Sequence, residues 1–528
     1  MERLDSLPSV AVKTVAARPV RFASDIWVSR LTFAVLGALL LVRSLNTGYD
    51  HDEDQYVGGA YFAAKMMIFR DFMHLQTPLQ AWLFAPIAEF FPGHVYIAMR
   101  VANVLFAVAT LAAVYAAIRI AGGSRWAGTA AMAMLAFCTP FQACASLVRN
   151  DIVPLFFSSL GIVAGITAAR RDDGRAAIAW LLAGLAFGLA TSAKISHAFF
   201  GAGAGLFLAA MWLRTRDRTW ARNFLAYGVG GFAGLLPSLI AFAAAPAAFL
   251  WGVVEYGATA PFQWYSLNGL GHMLSPRHTV VEALDRVGGS PALPALICIA
   301  ALIARRGWWQ SRRELLLLDV LLVAGGIAAI LPTPSWSYYY VTLLLPLFVR
   351  FGAVIDDLPR LSRGAPVLLL TVVAASSVPT LYRMRETVGT AFDGLRMTRI
   401  HNQALWIGDR LRAAGVRGRL VTFSPAIAID SGFPLDRRFA TGVFVYRSGV
   451  LLSATAHERF HTIGPATLAA SLDRDPPAAI LVGYESSHVR FRLYPDTDLR
   501  AYATARGYVH VRDPAYRAEL YINPRAGA

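Results

Sequence analysis

GYDHDEDQYVGGAYFAAKMMIFRDFMHLQTPLQ, residues 48–80, lies between the first two long apolar runs of a 528-residue chain. It gathers Asp50, His51, Asp52, Glu53 and Asp54 where the chain should leave a bilayer. Ionisable groups at a membrane boundary are costly and are kept where they serve binding or chemistry. Further along, Tyr56, Gly59, Ala60, Phe62, Ala63, Met66 and Met67 recur at helical spacing. That spacing predicts an amphipathic helix over 56–69, lying along the interface.

The rest of the chain supports the membrane reading. Apolar residues make up 56% of it and charged residues 16%, against about 25% charged in soluble domains. Mean hydropathy is +0.48. Apolar runs near the length a helix needs to cross hydrocarbon fall at about 26–45, 96–120, 126–143, 152–169, 176–191, 195–213, 224–249, 291–304, 315–331, 341–355 and 365–381. The expected class is a polytopic α-helical membrane protein with about eleven transmembrane helices.

Charge sets the orientation. A basic tail, residues 1–25, carries Lys13, Arg18 and Arg21, and Arg30 opens the first run. If that tail is cytoplasmic, the loops after every second run are too, and they hold Arg125; Arg170, Arg171 and Arg175; Arg214, Arg216, Arg218 and Arg222; Arg305, Arg306, Arg312 and Arg313; and Arg360 and Arg363. The opposite loops carry far fewer cations, as the positive-inside rule requires. The net charge of +16 therefore belongs to membrane topology rather than to nucleic acid. Cys138, Cys144 and Cys298 lie in or near apolar runs, with neither a disulfide framework nor zinc-ligand spacing.

Beyond residue 385 the composition becomes that of a soluble domain. Residues 398–415 predict a helix ended by Gly415, and RLVTF, AAILVGY, YVHVRD and AELYIN predict short strands. The expected division is a cytoplasmic tail, 1–25, a transmembrane domain, 26–384, with its first external loop at 46–94, and a small extracytoplasmic α/β domain, 385–528.

With this topology the polar features fall on one side: the acidic loop, Arg149-Asn150-Asp151, Lys194, Arg277 with His278, and the run PTPSWSYYY. They predict a cavity open to the non-cytoplasmic face. The motifs Asp52-Glu53-x-x-Tyr56, RDFMHLQTPL (70–79), Arg149-Asn150-Asp151, GLAFGLATSAK ending at Lys194, and PTPSWSYYYVTLLLP ending at Pro346 resemble those of the GT-C glycosyltransferases, in the protein O-mannosyltransferase and lipid A aminoarabinose transferase group. The resemblance covers the chain to about residue 346. One departure stands out. Where the family often has a Glu-Lys pair before two prolines, this chain has Gln76, Thr77, Pro78 and Leu79.

The resemblance implies transfer of a sugar from a polyprenyl-phosphate carrier to an envelope acceptor (lipid A or lipopolysaccharide core, another glycan, or a protein) on the periplasmic face of a bacterial inner membrane. It implies Asp52 as the general base, with Glu53 and Asp151 holding it or orienting the acceptor. An acceptor hydroxyl must lose a proton as it attacks, and a placed carboxylate can take it. The leaving lipid phosphate needs cations; Lys194, Arg149 and Arg277 are the candidates, with Tyr339 and Tyr340 as hydroxyl donors. Tyr56, His74 and Gln76 are assigned to the acceptor loop. A cofactor is not required, although Asp52 with Asp151 has the chemistry to bind a divalent cation. Plainer readings stand beside these. Arg149 and Asp151 would also serve as an ion pair capping a span, Lys194 as a snorkelling lysine, and one or more of Tyr338–Tyr340 as part of an aromatic belt. Asp50 and Asp54 read as surface charge, and His51 and His74 as polar loop residues. A transporter or flippase of lipid-linked sugars is the alternative from another class, although such proteins place binding groups near mid-membrane.

Overall fold

The computed structural model describes residues 24–306, 312–360, 364–485 and 495–526. The basic residues Lys13, Arg18, Arg21 and Arg363 lie outside them.

Helices occupy each expected run: α1 (Ser24–Asn46), then α2 (Asp52–Ala63) and α3 (Leu79–Phe90) in the loop, α4 (Val95–Ile120), α5 (Arg125–Ala136), α6 (Thr139–Ser146), α7 (Ile152–Ala169), α8 (Arg175–Ala193), α9 (Ala198–Thr215), α10 (Arg218–Ala244), α11 (Pro246–Leu250), α12 (Tyr256–Leu267), α13 (Pro276–Gly288), α14 (Ala292–Arg306), α15 (Arg313–Ile330), α16 (Val341–Gly352) and α17 (Ala365–Ala391). Among the described residues, α1, α4, α7, α8, α9 with its preceding turn, and α10 are individually long and apolar enough to cross a membrane. Two bent pairs, α5–α6 at 70° and α13–α14 at 85°, bring the number to eight if each is one span. The expected single helix over 126–143 is thus broken. Pro140 opens α6 and cannot donate the hydrogen bond that would continue α5. The short α16 has every residue except Leu343 buried, so it is a central helix of the bundle.

The tightest contact in the bundle joins α8 to α10. A Cβ on Gly184 would sit 2.1 Å from the Tyr227 carbonyl oxygen, and one on Gly230 would sit 2.0 Å from that of Leu181. In lipid, helices associate by such close packing of small residues, because apolar burial gives no net drive there. An ion pair also lies within the bundle, Arg350 Nε to Asp319 Oδ1 at 2.7 Å.

After α17 come α18 (Arg396–Ala413), α19 (Pro425–Ala428), α20 (Val443–Arg447) and four short strands: β1 (Leu420–Val421), β2 (Ala479–Val482), β3 (Val509–Arg512) and β4 (Glu519–Ile522). Each strand falls within one of the four predicted runs. The sheet order is β1-β2-β4-β3, with β1–β2 parallel and the other pairs antiparallel. Gly415, at φ +65°, follows the end of α18 in the left-handed region that favours glycine.

This part and the loop at 46–94 share one hydrophobic core, in which Tyr56, Val57, Phe72 and Tyr96 pack with Val421, Phe439, Ile480 and Leu520. The shared core changes the character of α2. It starts at Asp52 rather than Tyr56, ends at Ala63, and is buried along nearly its whole length. No amphipathic interface helix over 56–69 exists, because α19 and the segment around Ala440 cover the face expected to meet the membrane surface. Gly58 permits this cover: a Cβ there would lie 2.6 Å from the Ala440 carbonyl oxygen.

Candidate active site

The N-terminus of α2 is built by its own acids. His51 is the N-cap, and the Asp52 amide donates to Asp50 Oδ1 at 2.9 Å. Asp52, Glu53 and Asp54 follow in the first turn, where the helix dipole favours negative charge. Helical rotation then sends the three carboxylates in three directions, and each meets a different environment.

Asp52 faces a cavity of about 720 Å³, which is also lined by Tyr56, Gln76, Arg149, Lys194, Tyr338 and Tyr339. Its carboxylate takes a hydrogen bond from Arg149 Nη1 and lies 3.4 Å from His51 Nε2. Burial alone would raise its pKa, but Arg149 first and His51 second outweigh that, so the group sits below the ordinary carboxylate value.

Arg149 is shared. Its Nε is 3.2 Å from Asp151 Oδ2, and Lys194 Nζ donates to Asp151 Oδ1 at 2.5 Å. Asp52, Arg149, Asp151 and Lys194 therefore form one alternating chain of charges, with Asp151 just behind the cavity wall. Asp151 stands at the N-cap position of α7 but makes no capping hydrogen bond, since both its oxygens are taken by the cations. Two rings complete this corner. The Arg149 guanidinium carbon lies 3.6 Å from the centre of the Tyr338 ring, and Lys194 Nζ lies 5.1 Å from that of Tyr339. Burial pushes the Tyr339 hydroxyl up to about 12, so it remains a proton donor at neutral pH. Gln76 is fixed by Asn150, whose Nδ2 donates to Oε1 at 2.8 Å.

Four expected site residues stand elsewhere. Glu53 is fully buried away from the cavity. Arg100 Nε lies 3.0 Å from its carboxylate and the Val148 amide 2.7 Å, and the Tyr96 hydroxyl donates as well. It ties α2 to α4, and removing either partner of such a buried pair costs about 3–5 kcal/mol. Tyr340 is buried, its hydroxyl 3.0 Å from Ser335 Oγ and 3.3 Å from the Thr279 carbonyl oxygen. Arg277 is exposed at the start of α13 and does not line the cavity. His74 is buried beneath Gly59 rather than loop-exposed, and burial lowers its pKa to about 4.

Sequence reasoning missed other groups. Asp54 is not surface charge. It is fully buried, accepts from the Tyr49 hydroxyl, and takes the Ala426 amide at 3.0 Å. Burial raises its pKa despite those hydrogen bonds. Arg447, at the end of α20, reaches the cavity from the far end of the chain, as does Glu485 just after β2. Tyr338 was separable from the aromatic belt only through the cation it covers. For Arg447 no local signal existed, since its sequence neighbours VFVY and SGV resemble ordinary core. Among the described residues no group of three or more His, Cys, Asp or Glu is placed to hold a metal. The interval between Asp52 and Asp151 is filled by the Arg149 guanidinium.

A helical bundle with an acid-bearing first loop, covered by a C-terminal α/β layer, is a fold this chain shares with solved membrane glycosyltransferases of the GT-C type. Residues 75–242 match the family model described as dolichyl-phosphate-mannose-protein mannosyltransferase. The structure is similar to ArnT from Cupriavidus metallidurans bound to undecaprenyl phosphate, over 96% of this chain and 99% of that one, at 15% identity and a TM-score of 0.54. Against the apo state of that protein the TM-score is 0.56 at 15% identity, over 95% and 98% of the two chains. The Archaeoglobus fulgidus oligosaccharyltransferase tethered with an acceptor peptide is similar over 94% of this chain and 74% of that one, at 11% identity and a TM-score of 0.55. No curated protein matches the sequence.

Proposed function

We propose that the protein is a membrane glycosyltransferase that moves a sugar from a polyprenyl-phosphate carrier to an envelope acceptor, with Asp52 as general base. The observation that carries this reading is the opening of Asp52, Arg149 and Lys194 into one cavity. Arg149 keeps Asp52 ionised at neutral pH and ready to accept a hydrogen bond from the acceptor hydroxyl. The acceptor oxygen attacks the anomeric carbon and inverts it. The proton passes to Asp52 late, as bond formation makes the hydroxyl acidic. The bond from the anomeric carbon to the phosphate oxygen breaks, and the lipid phosphate leaves with the electron pair. Lys194, Arg149 and the Tyr339 hydroxyl line that corner and would hold its charge. Asp151 holds both cations in place.

The loop charges favour eleven crossings, with the cavity and residues 385–528 on the periplasmic face of a bacterial inner membrane. Metal is not part of the proposed chemistry, because the place between the two aspartates belongs to a guanidinium. Transfer by the purified protein should continue unchanged in excess EDTA.

Deleting the gene and returning wild type or Asp52→Asn tests the base. Mass spectrometry of the envelope glycolipids should show a modification restored by wild type and lost in Asp52→Asn. In purified form the variant should turn over at least about a hundredfold more slowly. An Asp52→Asn protein that inserts normally and keeps wild-type turnover overturns the assignment.

A further inference from the structure

The cavity's cations are not equivalent, and their carboxylate partners distinguish them. Arg149 sits between Asp52 and Asp151, and Lys194 is bound to Asp151. That corner therefore holds two positive and two negative charges, with no cation left over. Arg447 is the exception. It lines the same cavity, is only partly buried, and has no carboxylate within ion-pair distance among the described residues. Its guanidinium carbon instead lies 4.4 Å from the centre of the Phe444 ring and 4.9 Å from that of Trp264, with the Tyr256 hydroxyl as a polar neighbour. Two aromatic faces hold the planar group in place, one donor meets the Tyr256 hydroxyl, and Asp52 feels the charge from beyond ion-pair distance, so the remaining donors are left for something else. Of the other carboxylates lining the cavity, Asp50 accepts the Asp52 amide. Glu485 does not neutralise Arg447, because burial and neighbouring Asp496 push it up to about 8, leaving it mostly protonated at neutral pH.

Building on the transferase reading, we infer that Arg447, delivered by the C-terminal layer, is a further receptor in the cavity, besides Lys194 and Arg149, for a phosphate group of a substrate, carried by the lipid donor or by a phosphorylated acceptor. Arg offers a planar fork of donors that suits phosphate oxygens. The enzyme's roof would then take part in substrate recognition. Covering the catalytic helix would be only half of its task.

The test uses full-length protein in detergent and two probe pairs: undecaprenyl phosphate with undecaprenol, and lipid A with its dephosphorylated form. Binding is read by isothermal titration calorimetry. Wild type should bind the phosphorylated member of at least one pair more tightly. Arg447→Gln should cut that preference, weakening the phosphorylated probe about tenfold or more with the phosphate-free probe unchanged. Arg447→Lys should recover part of it. Loss in the undecaprenyl pair places the phosphate on the donor; loss in the lipid A pair places it on the acceptor. A merely structural arginine would shift melting temperature and weaken both members of a pair alike, which overturns the inference. So does an Arg447→Gln protein that keeps every phosphate preference, or a wild type with none. These results are independent of Asp52→Asn, which fails or succeeds on turnover, so the two readings can fall separately.

Discussion

Three consecutive acids, Asp52, Glu53 and Asp54, show how much one helical turn decides. Asp52 meets the cavity and a shared guanidinium, Glu53 a buried arginine, and Asp54 a tyrosine hydroxyl and a backbone amide. Their ionisation follows from these partners more than from their chemical type. For Asp52 the consequence can be measured. Its folded-state pKa lies below the ordinary value of 3.8, so the stability from its pair with Arg149 is complete above that value and is lost as pH falls through the lower one. In Arg149→Gln the main opposing charge is gone, and burial is opposed only by the weaker pull of His51 and Arg447. The acid limb of the pH–rate profile should then move to higher pH, whatever happens to the maximum. An unmoved acid limb would mean that Arg149 does not set the ionisation of Asp52.

At the scale of elements, α2 depends on absent side chains. Replacing Gly58 with alanine should gain about 1 kcal/mol of helix propensity but places a Cβ 2.6 Å from a backbone carbonyl oxygen. Backbone cannot step aside as a flexible side chain can, and overpacking of this kind costs about 1–3 kcal/mol. The clash wins. Gly58→Ala should lower the melting temperature and the activity together. Gly228→Ala, in α10 with nothing within 4 Å of its Cβ position, should leave both unchanged or slightly raise stability. Differential scanning fluorimetry of the two variants in detergent separates these outcomes. The broken helix α5–α6 and the nearly fully covered α16 belong to this scale as well. Both answered to neighbours and to a proline, and neither is a simple lipid-facing span.

The whole molecule is organised so that the two ends of the chain meet at one cavity. Asp52 comes from the first loop and Arg447 from a helix nearly four hundred residues later, and one core joins the two segments. That core requires both to lie on the same side of the membrane. A cysteine at exposed Thr504 should accordingly label with an impermeant maleimide in intact spheroplasts, whereas one at exposed Thr215 should label only after permeabilisation. Background is low because Cys138 and Cys144 are buried, and Cys298→Ser removes the half-buried third thiol. The opposite labelling pattern would invert the membrane orientation.

Hydropathy determined from sequence that the chain lives in a membrane, because the energetics of moving charge into hydrocarbon depend on composition; the placement of arginines carries the proposed sidedness of its loops. The DExxY and RND motifs pointed to Asp52, Arg149 and Asp151 because those residues lie at helix starts beside apolar runs, where position along the chain fixes depth. Only the tertiary structure decided that Glu53 is a strut, that Arg277 and Tyr340 stand away from the cavity, and that α2 is roofed instead of resting on lipid. It alone found Arg447. Which side of a helix meets solvent, and which distant segment covers it, are set by packing between parts remote in sequence, and no local pattern records them.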